Sequence, residues 1–235
     1  SAVTLDEMPM PASTSAPRRA DHIRNRAALL GAARVVFAEQ GADASVEEIA
    51  HRAGFAKGTF FRHFASKESL VQAVIADRLV TLGTIVSEMN VTREPGWATL
   101  GAMMERVLDQ IADDCSLAEF LERGERAIPT AEIVDAKETL AREVHQAVAG
   151  AQERGEVRPD VTGADLPPIM FMITRATARH HAIHPQLGRR YLRLFLDGIR
   201  AGHDSDLGGP PLTFDDMRPP RGLLAHGSSE DPDVP

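Results

Sequence analysis

The chain has one cysteine, Cys115, among 235 residues. An internal disulfide is therefore excluded, and the composition suits a reducing compartment such as the cytoplasm. The lone thiol reads as a small helical filler rather than a nucleophile. Nowhere do about 18 apolar residues follow one another, so no membrane span is expected. The first 20 residues lack the apolar centre of a signal peptide and read as a flexible arm. No segment alternates apolar and polar residues as a strand does, and no repeat of fixed period occurs. There is no glycine-rich phosphate cradle and no paired nucleophile and base, so no enzyme is expected, and neither cofactor nor metal is implied. A net excess of positive charge is also missing: the formal charge is −8.

That deficit is unevenly spread. Residues 18–80 carry 10 Lys and Arg against 7 Asp and Glu, whereas residues 81–235 carry 16 against 25. The one basic region lies near the start, and the acidic remainder limits nonspecific adhesion to polyanions while orienting the basic end toward them. With 43% hydrophobic residues the chain can bury a sizeable core and form one or two domains.

Helical spacing of Ile23, Ala27, Leu30, Val36 and Phe37 predicts a first helix over 21–40, ended by Gly41. Arg18, Arg19, Arg24 and Arg26 crowd its start, forming either a solvated arm or one that reaches a nucleic-acid groove or backbone. Ser45 and Glu48 make an S-x-x-E capping box for a second helix. Gly54 suits a sharp turn, and a very short helix follows with Phe60 and Phe64 on its buried side. A further helix opens at Ser66-Lys67 and is long enough to leave this cluster for the second half of the chain. Two helices joined by a tight turn form the helix-turn-helix that places a short helix in the major groove of DNA. A plain three-helix cluster with a solvated basic face is the alternative that spacing alone allows.

The stretch RAALLGAARVVFAEQG, then Ser45, then IAHRAGFAKGTFFRHFASKESL resembles the DNA-binding domain of TetR-family transcriptional regulators. The specific part is G-T-x-x-x-H-F-x-x-K-E-x-L, carried by Gly58, Thr59, His63, Phe64, Lys67, Glu68 and Leu70. The resemblance implies that Ser45 caps its helix and touches a phosphate, and that Lys57 and Gly58 lie against base edges or backbone. It also implies phosphate contacts from Thr59, His63 and Lys67. Phe61 stands where the family usually has tyrosine, so the phenolic bond to a phosphate is lost and packing on sugar or a thymine methyl is left. Arg62 falls at a variable family position and is either a base or phosphate contact or a solvated side chain.

Beyond residue 90 the pattern stays helical, over 97–113, 116–127, 130–150, 166–182 and 185–201. Asp165 is expected to cap the fourth of these. The last carries more apolar surface than one packing face needs, which suggests a second copy of the chain. TetR-like proteins dimerise through a C-terminal helical bundle, which implies an interface of Ile169, Ile173, Ala176, Tyr191, Leu192, Phe195, Leu196 and Ile199. Burial in the protomer's own core is the alternative. The family also implies a small-molecule pocket in the middle helices. Trp97, Met103, Met104, Leu108 and Phe120 are candidate lining residues, as are Met170, Phe171 and Met172 of the later helix, where Arg175 is a candidate contact for an anionic group. Ordinary core packing is again the alternative. His180, His181 and His184 make an H-H-x-x-H spacing that lacks an obvious third ligand, so no metal site is assigned.

The expectation is an all-α protein. It has an arm over 1–20, a helix-turn-helix domain over 21–66, an effector-binding and dimerisation domain over 67–202 and a mobile or surface-wrapping tail over 203–235. It acts as a cytoplasmic homodimer on a double-stranded DNA operator, as a repressor released by a small apolar effector. A DNA binder without an effector, or a helical metal protein or enzyme, are the rival readings.

Overall fold

The computed structural model describes residues 15–112, 129–178, 180, 183–202, 205–214 and 216. Among them, eight α-helices account for the fold and no strand occurs; one isolated antiparallel bridge joins Val157 to Arg200. The all-α expectation holds. In chain order the helices are α1 (Ser15–Gln40), α2 (Val46–Arg52), α3 (Lys57–His63), α4 (Lys67–Thr92), α5 (Trp97–Ala112), α6 (Ala131–Glu153), α7 (Leu166–Ala178) and α8 (Leu187–Ile199). The helix expected over 116–127, with Phe120 and neighbouring Cys115, lies outside the described residues.

Two apolar cores share α4. The first, in the head, gathers Leu29, Ala33, Val36 and Phe37 of α1, Ile49 of α2, Phe60 of α3 and Leu70 and Val74 of α4. The second, in the body, gathers Val86 and Met89 of α4 with Leu100, Met103 and Met104 of α5, Val148 of α6, Met170 of α7 and Leu192 of α8. Ile133, at the start of α6, joins the head core, so α4 and α6 both run from one core to the other. Arg34 and Asp77, 3.2 Å apart, pair α1 with α4. Asn90 of α4 donates to Glu143 of α6, to its carbonyl at 2.9 Å and its carboxylate at 3.1 Å. By length and apolar composition α4 could cross a membrane, but half of that apolar stretch is buried inside the protein. It is the shared core helix.

Several helix ends differ from the expectation. α1 begins at Ser15, so the final turns of the expected arm are helical. Ile23 and Ala27, which follow the helical spacing of Leu30, Val36 and Phe37, are exposed, whereas Leu29 and Leu30 are buried. The capping box at α2 is half formed. The Ser45 hydroxyl accepts from the Glu48 N–H at 3.2 Å, while the Glu48 carboxylate accepts from Gln40 instead of turning back. A full box closes α4, where Ser69 takes the part usually played by an acid and Ser66 caps. Asp165 does not cap α7: its carboxylate accepts from the Thr162 N–H at 2.7 Å and closes a 3₁₀ turn, Gly163–Asp165. α7 stops at Ala178, so His180 and His184 lie in the following turn, not on a helix face; His181 is outside the described residues. Of the two readings of the tail from 203, mobile or wrapped on the surface, the hydrogen bonds at Ser205 and Leu212 agree with the second for that stretch. Buried Arg158 donates to the Ser205 carbonyl at 2.5 Å, and the Thr162 hydroxyl donates to the Leu212 carbonyl at 2.7 Å.

Candidate nucleic-acid interface

The turn between α2 and α3 is built by backbone bonds. The Gly54 N–H donates to the His51 carbonyl at 3.0 Å and the Phe55 N–H to the Ala50 carbonyl at 2.8 Å. Gly54 has φ +79°, a left-handed conformation that side chains with a Cβ rarely adopt. α3 then follows with Phe60 fully buried and Phe64 nearly so, their rings 5.6 Å apart. Those two residues anchor one side of α3. At 100° per residue, Gly58 and Arg62 fall opposite Phe60, and both are exposed.

Lys57 is exposed and paired with Glu47 of α2, whose carboxyl is held below its ordinary range chiefly by that hydrogen bond. The pair ties the start of α3 to the first turn of α2. Phe61 is 49% exposed and meets Phe60 edge to face at 5.2 Å. An apolar ring so exposed on this helix agrees with packing against a partner surface. Ser45 is exposed; Thr59 and Lys67 are half-buried, the latter in the first turn of α4 behind its Ser66 cap.

His63 is half-buried at the end of α3. Its Nδ1 is enclosed without a hydrogen-bond partner, and its ring lies 4.3 Å from that of His22 on α1. Burial is the main reason the imidazole titrates below its ordinary range, reinforced by the positive fields of His22, Arg26 and Arg62. Near neutral pH it is therefore an uncharged ring able to donate one N–H. Arg26 lies over Phe64, 5.2 Å from the ring centroid. His22 and Glu47 were not identified from sequence as part of this surface. Each is far in sequence from the α3 residue it meets, so no local signal marks the contact.

The body places the other candidate residues less simply. Met104, Leu108 and Met170 are buried in the body core together with Met103. Trp97 is half-buried beneath the guanidinium of Arg200, 5.0 Å from the ring centroid; Phe171 is half-buried and Arg175 exposed. Phe120 is outside the described residues. An open groove of about 620 Å³ lies elsewhere, between α4 and α6, floored by Leu79, Gly83 and Ala136 and rimmed by Glu88, Glu132, Asp135 and Glu143. Of the residues assigned to a dimer surface, Ile173, Leu192, Leu196 and Ile199 are buried within the protomer, as core positions. Ala176 and Tyr191 are exposed, and Ile169 and Phe195 half-buried. Met172 and Leu194, 55% and 58% exposed, add apolar surface on the same two helices, α7 and α8.

Residues 29–74 match the model of bacterial regulatory proteins of the tetR family, and residues 94–201 match the C-terminal domain of SbtR-like transcriptional regulators. A TetR transcription regulatory protein from Mycobacterium vanbaalenii is 30% identical and superposes with a TM-score of 0.59, covering 79% of this chain and 100% of that one. The HTH-type transcriptional regulator UidR of Escherichia coli K12 is 29% identical over 158 residues, 63% of this chain and 77% of its own. The Tn10 transposon protein TetC of Escherichia coli is 34% identical over 88 residues, 37% of this chain; the match spans 44% of TetC.

Proposed function

The chain belongs to the TetR family of bacterial transcriptional regulators, and from that membership we propose that it is a homodimeric repressor whose hold on a DNA operator is released by a small apolar effector. It acts by binding alone, without catalysis, in the cytoplasm. The observation that carries the reading is α3, a short helix anchored by two buried phenylalanines with Lys57, Gly58, Phe61 and Arg62 exposed. In this reading Lys57, Gly58 and Arg62 approach bases or backbone, Phe61 packs on sugar or a thymine methyl, and Ser45, Thr59, His63 and Lys67 hold phosphates. A second copy, joined through Ala176, Tyr191, Phe195 and Ile169 with Met172 and Leu194, sets two such helices about one or more turns of duplex apart.

Release follows from the two continuous helices. A ligand among the methionines and leucines of α5 and α7 acts on the core that holds the far half of α4. The near half of α4 and Ile133 of α6 belong to the head core. Any shift of α4 and α6 in the body therefore moves the head. A ligand changes the balance of conformers only by its difference in affinity for them.

Gel shift at a stated salt concentration, after selection from a genomic fragment pool, tests the reading. A selected fragment should bind much more tightly than its scrambled counterpart, and Arg62→Ala should weaken that preference. Equal binding of selected and scrambled duplex would reject it, and a monomer in light scattering would reject the paired geometry.

A further inference from the structure

α2 carries charged side chains on two sides, and the fold engages each differently. Glu48 accepts from Gln40, and Arg52, one turn further on, pairs with Glu39, so this side is taken up by the end of α1. Glu47 lies about 100° round the helix from Glu48. Its carboxylate accepts from the ammonium of Lys57, the first residue of α3, ten residues on. The two side chains stay 57% and 54% exposed, so the pair lies on the surface and not within the head core. Gly58, next along α3, is exposed as well.

A carboxylate in this place opposes the function of the surface around it. A face that meets DNA gains affinity from cations and loses it from anions. An exposed ion pair also contributes little to folding, so stability is a weak reason for it. What the pair changes is the character of Lys57. An ammonium has three N–H donors and no acceptor. Glu47 occupies one donor and cancels most of the charge, while the tie to α2 holds the other two in place. Phosphates attract charge with little regard to direction, so a neutralised Lys57 gains little from them. A guanine edge offers two acceptors, O6 and N7, at fixed positions in the major groove, and there oriented donors keep their value.

We propose that Glu47 is a specificity-determining residue: it holds Lys57 as an oriented donor for a guanine edge and withholds its charge from the phosphates of unrelated DNA. Glu47 acts through Lys57 and is a positioning residue. The assignment rests on the DNA-binding reading above and supplies a reason for preference among duplexes.

The test is fluorescence anisotropy of the full chain on its selected duplex and on a scrambled duplex, across a salt series. Glu47→Gln should tighten the scrambled duplex more than the selected one. The preference should fall by up to about fivefold, the most that an exposed ion pair is ordinarily worth. On the scrambled duplex the slope of log K against log salt should steepen by about 2, one phosphate gained in each subunit of a dimer. Glu48→Gln removes the same charge one residue on and should shift both duplexes alike. Lys57→Ala should weaken the selected duplex, and in that background Glu47→Gln should no longer alter the preference. Equal helicity and melting temperature of all the variants separate these effects from unfolding. If Glu47→Gln shifts both duplexes equally, as Glu48→Gln does, Glu47 is only a general negative charge and the proposal fails. A change of preference that persists without Lys57 overturns the route through Lys57. Wild type with no preference between duplexes defeats the operator reading and this proposal together, whereas a preference in wild type that Glu47→Gln leaves intact defeats this proposal alone.

Discussion

The two cores that share α4 are assembled from different materials. The head core is closed by Phe37, Phe60 and Phe64, stiff rings that interlock and leave the short α3 one way to sit. The body core is rich in thioethers, with Met89, Met103, Met104 and Met170 all buried, and such side chains repack at small cost. Ion pairs occur in both halves, Lys57 with Glu47 and Arg34 with Asp77 in the head, Arg189 with Asp109 at 2.7 Å and Arg193 with Glu105 at 3.5 Å in the body. A rigid head suits presentation of side chains at fixed spacing, and an adaptable body suits accommodation of a ligand. The stiffness of α4 decides whether one half feels the other.

Removing a head ring tests that division most severely. Phe60→Ala should cost about 3–5 kcal/mol in urea unfolding, the usual loss for a fully buried phenylalanine. Because α4 and Ile133 join the cores, the fluorescence of Trp97, the chain's single tryptophan and a body residue, should shift to lower urea together with the circular dichroism. A Trp97 transition left in place would show that the halves unfold independently. The matching perturbation of the body is Gly163→Ala. A Cβ there would lie 2.9 Å from the His145 Cα, a backbone atom that cannot swing aside. A loss of about 1–3 kcal/mol is expected from this overpacking, with DNA affinity per folded molecule unchanged; an equal loss of affinity would place the body's packing inside the interface.

Smaller effects sharpen the picture of the head. Glu47→Gln frees Lys57 and should tighten DNA binding a few fold, more at low salt than at high salt. Unchanged affinity would mean that Lys57 leaves Glu47 at no cost. The smallest effect concerns His63, whose imidazole titrates below its ordinary 6.5 in the folded chain. The unfolded chain therefore takes up the proton first, and stability is lost as pH falls below about 6.5, levelling off below the folded value. His63→Gln should flatten that part of the stability profile, measured by urea midpoints between pH 5 and pH 8 on the order of one unit apart. An unaltered slope would assign the proton elsewhere.

Much of the head was readable along the chain because its signals are local. Ser45 before Val46, Gly54 after α2, Phe60 and Phe64 four apart and Ser66 before Lys67 each act within one or two turns. Cases in which a distant residue supplies the partner were not readable. The N-terminus of α5 is capped by Glu156, which accepts from the Trp97 N–H at 2.7 Å across 59 residues. Ile23 satisfied the helical spacing, yet it is 62% exposed. On α8, periodicity brought Leu192 and Leu196 into the same apolar arc as Tyr191. Packing against α5 and α7 then divided that arc into a buried side and a free one.

Residue order was enough to establish an all-helical chain, its helix-turn-helix and the family, since those depend on spacing, caps and turns within a few residues of one another. Which cations are already engaged, which apolar side chains remain exposed and how α1 lies against α3 emerged once distant segments met. Burial and ion pairing belong to neighbours in space, and the chain's order does not name them.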